Sequence, residues 1–264
     1  MARKTFRGVA NRTMIEILPL TGIGEVRPGH DLAAMLGDAL ADAAGEPSAG
    51  DVLVVTQKII SKAEARFVDL ETVSPSDQAV TVAETTQKDP RLVELVLQES
   101  SAVVRAVPHV LVTRHRTGHV MANAGIDRSN IGADGAERAL LLPIDADASA
   151  IRLRAALARR FAQPPAVLIS DSFGRPWRMG VVNVAIGACG LPSLIDRRGE
   201  LDRDGRPLEV TQVALGDMLA SAAGLAMGEG AEGVPAVLVR GVAWSGLDAP
   251  AAALIRPIEQ DLFQ

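Results

Sequence analysis

Apolar and polar positions along this chain shift between the period of a strand and the spacing of a helix. Residues 13–18 (TMIEIL) alternate apolar and polar side chains and predict a strand. Asp31 then stands as an N-cap before DLAAMLGDALADAA, a helix that Gly45 stops. Residues 51–56 (DVLVVT) are an apolar β-branched run, read as a buried strand, and QKIISKAEARFV follows them. Asp89-Pro90 marks another helix start, an N-cap with proline at the first helical position, for RLVELVLQES.

From Ala102 the pattern turns to β, with short strands in AVVRAV, HVLVTRH and HVMANAG and a hairpin turn at Thr117-Gly118. Residues 123–135 (NAGIDRSNIGADG) have no period and read as loop. Asp147 or Ser149 is expected to cap the helix SAIRLRAALARRFA. Residues 166–170 (AVLIS) are the next buried strand, running into a polar loop, DSFGRPWRMG. GELDRDGRPLEV predicts a hairpin around Asp204-Gly205. A helix of small residues, VALGDMLASAAGLAMG, follows, then the loop GEGAEGVP and the strand AVLVRGVAW. No repeat or linker divides the chain, and strands and helices lack strict βαβ alternation. The expected class is α+β, in one domain over residues 1–264.

Composition narrows the partners. Aromatics make up 3% of the chain, with no Tyr, and the formal net charge is −5. Both argue against nucleic acid, which is bound through basic surfaces and aromatic stacking. The single Cys189 excludes an internal disulfide and a thiolate zinc site. No run approaches the ~18 apolar residues of a membrane span, and residues 14–20, broken by Glu16 and Pro19, do not form a signal-peptide core. A cytoplasmic enzyme is the expectation.

Walker A chemistry is absent because no Gly-Lys dipeptide occurs; no G-x-G-x-x-G follows a predicted strand, and no G-x-S-x-G exists. Four places remain. Asp171, at the end of AVLIS, has Ser172 beside it, oxygen donors suited to a hard divalent cation, and Arg175 and Arg178 follow as anion holders. An Asx-turn with two solvated arginines explains the same residues. Asp127 and Asn130 stand three apart in NAGIDRSN, which turn chemistry alone also accounts for. Lys58 and Lys62, two of only four lysines, lie four apart after the DVLVVT strand, as anion anchors or as a solvated face. Glu229 and Glu232 sit among the three glycines of GEGAEG, where backbone N–H groups can close round an anion and Glu can reach a cation, or where a flexible connection simply runs. His115 and His119 span a predicted turn, so they are not read as a zinc pair, and Trp177 and Trp244 are read as packing residues.

Taken together, IEILPLTGIGEVRPGHDL, GDVLVVTQKIISKAEAR, NAGIDRSN, LISDSFGRPWRMGVVNVAIGACG and MGEGAEGVPAVLVRG resemble, in order and over nearly the whole chain, the coenzyme F420-0:L-glutamate ligase (F420 γ-glutamyl ligase) family. The resemblance implies mixed sheets with helices in two interwoven subdomains of an intertwined homodimer. It implies GTP as co-substrate and two divalent ions, Mg or Mn, and allows for a monovalent cation. Carried over by position, Asp127 and Asp171 would bind metal, with Ser172 on the second ion. GTP contacts would come from Ile23, Gly24, Glu25, Val26, Gln57, Lys62 and Asn130. The loop Met227, Gly228, Glu229, Gly230, Ala231, Glu232, Gly233 and Val234 would complete them. Arg175 and Arg178 would face an anionic substrate, and Lys58 is expected on a less critical side. Many relatives have Ser where Gln57 stands here, and Gly24 replaces an expected proline. A fused flavin-reductase domain, which some relatives carry, is not expected here. The implied reaction joins L-glutamate to F420-0 by an amide and then a second glutamate through a γ-linkage, with GDP and phosphate released. The same chemistry on another carboxylate acceptor, or a non-catalytic GTP- and metal-binding module, are the alternatives.

Overall fold

The structure is a computed structural model that describes residues 14–131 and 137–262. Its first half runs β1 (Glu16–Pro19), α1 (Leu32–Ala44), β2 (Val52–Thr56), α2 (Gln57–Ala63), β3 (Phe67–Asp69), α3 (Asp77–Thr86), α4 (Pro90–Gln98), β4 (Ser100–Val107), β5 (Val110–His115) and β6 (Val120–Ala122). The second half runs β7 (Arg138–Leu140), α5 (Ala146–Leu157), β8 (Ala166–Arg175), β9 (Arg178–Cys189), β10 (Ile195–Asp196), β11 (Gln212–Val213), α6 (Leu215–Met227) and β12 (Ala236–Arg240).

β1, β12, β2, β8 and β9 hydrogen-bond in that order into a five-stranded sheet. β2 and β8 are parallel, from Val52 opposite Ala166 to Thr56 opposite Ser170, and the other neighbours are antiparallel. Successive side chains of a strand face opposite ways. Leu53, Val55, Val167, Ile169 and Leu238 therefore pack with Leu36 and Leu40 of α1 and Leu153 and Leu157 of α5. Val52, Val54, Leu168, Val237 and Val239 meet Leu219, Ala220 and Ala223 of α6 on the other face. Coverage of both faces is why these strands are unbroken apolar runs. The small residues of α6 let it approach closely: a Cβ on Gly224 would lie 2.0 Å from Asn183 Oδ1. A third apolar cluster joins Leu70, Ala79, Ala83, Val93, Val96, Leu111 and Leu141 beneath α3, α4 and the β4-β5-β6 sheet. The α+β class holds.

Most expected elements are found. Asp31 caps α1 through Ala34 N–H, and Asp89 caps α4 ahead of Pro90. β5 and β6 pair across the turn at Thr117-Gly118. Asp204-Gly205 turns the expected hairpin: Leu201 bridges Pro207, Gly199 N–H donates to Leu208 O and Arg197 N–H to Thr211 O, and the antiparallel β10–β11 pair forms its base. The first strand begins at Glu16 rather than Thr13, which lies outside the described residues, as do residues 132–136 of the expected loop.

Three corrections have physical causes. α5 is capped by Asp145, whose side chain accepts from Ala148 N–H. Asp147 is drawn away to accept Ala188 N–H and Ala251 N–H, each at 2.8 Å. α3, capped by Ser76, has no counterpart in the sequence reading, because its apolar stripe is thin. And DSFGRPWRMG is no loop: β8 and β9 continue as a two-stranded ribbon past the other strands, with a register shift at Ile169/Ser170.

Candidate active site

The parallel pairing of β2 and β8 places two strand C-termini side by side, an edge where open sheets hold ligands. β2 passes directly into α2 at Gln57, so Gln57, Lys58 and Lys62 project from the first turns after the sheet. β8 delivers Asp171 one residue beyond Ser170, the last residue paired with β2. Asp127 arrives from elsewhere in the chain, fixed by a reciprocal pair of 2.9 Å backbone hydrogen bonds with Leu140. The backbone before and after it takes unusual conformations, with φ of 50° at Asn123, 52° at Ala124 and 55° at Asn130. Left-handed non-glycine residues cost free energy and gather where geometry matters. Glu229 comes from the glycine-rich connection between α6 and β12.

These segments enclose an open cavity of about 950 Å³, at the upper end of the range for small-molecule sites. Its lining includes Ile23, Gly24, Glu25, Val26, Gln57, Lys62, Asn130, Asp127, Asp171, Ser172, Gly228, Glu229, Gly230, Ala231, Gly233 and Val234. Positions scattered through the sequence are thus brought round one space. Lys62 Nζ, its side chain 6% exposed, donates to Glu25 Oε1 at 2.6 Å. Asn130 Nδ2 donates to Gly230 O at 3.2 Å, tying the Asp127 segment to the glycine loop. Ser172 Oγ donates to both Glu229 oxygens, at 2.9 and 2.8 Å.

Four expected residues stand apart. Met227, the last residue of α6, is buried in the core beneath the sheet. Glu232 turns back to accept Gly230 N–H at 2.8 Å. Arg175 and Arg178 do not line the cavity. Because β8 stays extended, Arg175 lies roughly 13 Å beyond Asp171 along the ribbon, and its Nη2 donates to Met179 O at 2.8 Å. Arg178 is exposed near the turn of the ribbon. Lys58 is corrected in the opposite sense: it faces the site, with Nζ 3.1 Å from Ser129 O and 3.5 Å from Asp127 Oδ2.

Electrostatics mark the same place. Burial, and secondarily the charge of Asp127, push the Asp171 carboxyl up to about 7, against the pull of its hydrogen bond from Ser172 N–H and of Lys58. Burial also raises Asp127, opposed by Lys58 and by the hydrogen bond from Gln57. Glu229 raises both. Crowded carboxylates with elevated pKa values are a signature of functional sites. Here they are also what a hard divalent cation binds: oxygen donors from Asp127, Asp171, Ser172 and Glu229. Among the described residues no three acidic or imidazole groups already converge on one ion-sized point. Each carboxylate has a protein donor: Gln57 for Asp127, Ser172 N–H for Asp171 and Ser172 Oγ for Glu229. The donor chemistry fits the implied metal.

Sequence reasoning did not find Ser61, Ser129 or Asn183. Ser61 Oγ donates to Gln57 Oε1 at 2.9 Å, a contact that helical spacing of four could have suggested. Asn183 Nδ2 reaches Ser172 Oγ at 3.4 Å across the β8–β9 ladder, for which the sequence carries no signal.

Comparison with known proteins gives one consistent result. A family model described as F420-0:γ-glutamyl ligase matches residues 22–241. The coenzyme F420:L-glutamate ligase of Methanothermobacter thermautotrophicus is 44% identical over 252 residues, covering 95% of this chain and 99% of that protein. The enzyme of the same description from Methanopyrus kandleri is 44% identical over 254 residues, 95% and 97% of the two chains. That from Natronomonas pharaonis is 45% identical over 255 residues, 94% and 93%.

Proposed function

The chain belongs to the F420-0:γ-glutamyl ligase family, and from that premise we propose that it uses GTP to join L-glutamate to the carboxylate of F420-0. The observation that carries the reading is the convergence of Lys58, Lys62, Asp127, Asp171, Ser172, Glu229 and the glycine loop on one open cavity.

An amide does not form from a carboxylate and an amine in water without activation. In the proposed sequence the terminal phosphoryl group of GTP passes to a carboxylate oxygen of the acceptor, giving an acyl phosphate and GDP. The amino nitrogen of L-glutamate then attacks the acyl carbon, the C–O bond to phosphate breaks, and the amine loses its proton to solvent. A second round uses the γ-carboxylate of the first glutamate. Phosphoryl transfer is mostly positioning and charge neutralisation. Two Mg or Mn ions held by Asp127, Asp171, Ser172 and Glu229 would supply neutralisation of phosphate charge. Lys62, paired with Glu25 at the cavity wall, would meet phosphate oxygens as a point charge. Gly228, Gly230 and Gly233 border the same space, and Asn130 ties that loop through Gly230 O.

We extend the proposal to a single ligase unit acting as a homodimer. The ribbon of β8 and β9 ends in exposed apolar side chains, Trp177 at 79% and Met179 at 96% exposure, which a second copy would cover. Sedimentation at micromolar concentration is expected to give twice the 27.6 kDa chain mass.

The function test is phosphate release from GTP with Mn, varying acceptor and amino acid, with products weighed by mass spectrometry. Release that requires both F420-0 and L-glutamate, with a product heavier by one glutamate residue, is the expected result. Release with another carboxylate but not with F420-0 would move the activity to that acceptor. Absence of release with every acceptor, in folded protein that binds GTP, would leave a binding module and end the ligase reading.

A further inference from the structure

We propose that Gln57 is a positioning residue that sorts the two oxygens of Asp127, rather than a contact for the nucleotide. The inference rests on the reading above that Asp127 holds a divalent cation.

Gln57 opens α2, and Ser61 stands one turn later on the same face. Their exposures are 2% and 0%. Ser61 Oγ donates to Gln57 Oε1 at 2.9 Å, and Gln57 Nε2 donates to Asp127 Oδ2 at 2.7 Å. The order of this chain is fixed by chemistry: an ionised carboxylate only accepts, so the amide nitrogen must face Asp127. The amide oxygen must then face Ser61, whose hydroxyl donates. Both ends of the Gln57 amide are thereby committed within the protein. With so little exposed surface it has little to offer a nucleotide.

Lys58 Nζ lies 3.5 Å from the same Asp127 oxygen, Oδ2. Among the described residues Oδ1 takes no hydrogen bond, so one oxygen is held and the other is left for a ligand. A neutral amide suits this task. It fixes the carboxylate plane without cancelling its charge, whereas a second lysine there would compete directly with a metal ion. Without Gln57 the carboxylate has only Lys58 nearby, and rotation toward that ammonium would spend Asp127 on an internal ion pair. Groups that orient a ligating side chain typically change metal affinity by 10–100-fold when removed.

The test compares the full-length wild-type protein with Asp127→Asn, Gln57→Leu, Gln57→Asn and Ser61→Ala. Free Mn is counted by electron paramagnetic resonance during titration without nucleotide, and GTP affinity is measured separately in EDTA. Asp127→Asn is expected to lose tight Mn binding. Gln57→Leu and Gln57→Asn are expected to weaken it by roughly 10–100-fold, and Ser61→Ala by roughly fivefold, the worth of one neutral hydrogen bond. GTP affinity in EDTA is expected to stay within twofold throughout. Gln57→Asn keeps a polar amide one methylene short of Asp127, so it answers the question should the leucine variant fail to fold. Wild-type Mn binding in both Gln57 variants, alongside loss in Asp127→Asn, overturns the positioning role. Weakened GTP binding in EDTA on Gln57 substitution overturns it in favour of a nucleotide contact. Undiminished Mn binding by Asp127→Asn instead overturns the underlying cation site.

Discussion

Asp171→Asn should make the metal-free protein more stable, and more so as the pH rises. The folded state holds the Asp171 carboxyl at about 7 against 3.8 for an unperturbed group, chiefly through burial and then through Asp127. Between those two values the folded chain binds more protons at this site than the unfolded chain does. Stability therefore falls as pH rises through that window, and the penalty is complete above pH 7. Roughly three units at about 1.4 kcal/mol each set a ceiling near 4 kcal/mol. Water in the open cavity screens part of this, so we take about 2 kcal/mol at pH 8. For a chain of this size that is a rise of roughly 4–8 °C in Tm. Asparagine carries no charge at any pH, so the gap should close near pH 4. The assay is thermal unfolding in EDTA from pH 4 to pH 8, repeated with Mn, where the order should reverse because only the parent keeps its carboxylate. Equal Tm values at pH 8, or a gap that ignores pH, would refute the reasoning.

With Mn present, GTP at about 100 times its Kd should stabilise the protein by roughly 2.7 kcal/mol, seen as a Tm rise of roughly 5–10 °C; no shift in folded protein would remove the nucleotide from this cavity. Lys62→Met should raise the KM for GTP, whereas Lys58→Met, which removes a cation beside Asp127 Oδ2, should mainly lower the Mn concentration needed for turnover. If both substitutions move the same parameter, the division of labour is wrong. Arg240→Met should cost about 3–5 kcal/mol in urea unfolding, because it strands Asp51, a side chain at 0% exposure held by two guanidinium nitrogens. A loss below about 1 kcal/mol would mean that water reaches Asp51 in the folded protein.

How much was legible follows from how local each cause is. Asp31 and Asp89 could be read as caps because a cap acts within three residues, and both do so here. Asp147 misled for the opposite reason: its carboxylate serves Ala188 and Ala251, partners 41 and 104 positions away. The polar composition of DSFGRPWRMG resembles a loop because beyond Ser170 its strand pairs only with β9, and Phe173 is its one apolar side chain packed back onto the core. Its turn residues occupy only the tip, and everything before them remains ladder. Arg175 and Arg178 read as anion holders because they closely follow Asp171 in sequence, and within the chain the extended ribbon carries them away from the cavity.

The acidic centre shows the limit most clearly. Asp127 and Asp171 could each be suspected from type and setting, but the sequence cannot say whether two carboxylates share a space. The answer depends on β2 and β8 being parallel neighbours, so that α2 leaves the sheet edge beside Asp171. It depends as well on Leu140 pinning Asp127 to the strand pair that follows α2. Once that framework exists, crowding is unavoidable, and the fold accommodates it with neutral donors and with Lys58 beside Asp127. A cavity designed only for stability would exclude three carboxylates, since their mutual repulsion and burial both favour the unfolded chain. Their persistence beside Lys58 makes sense if the site serves a cation, which would relieve the repulsion among Asp127, Asp171 and Glu229.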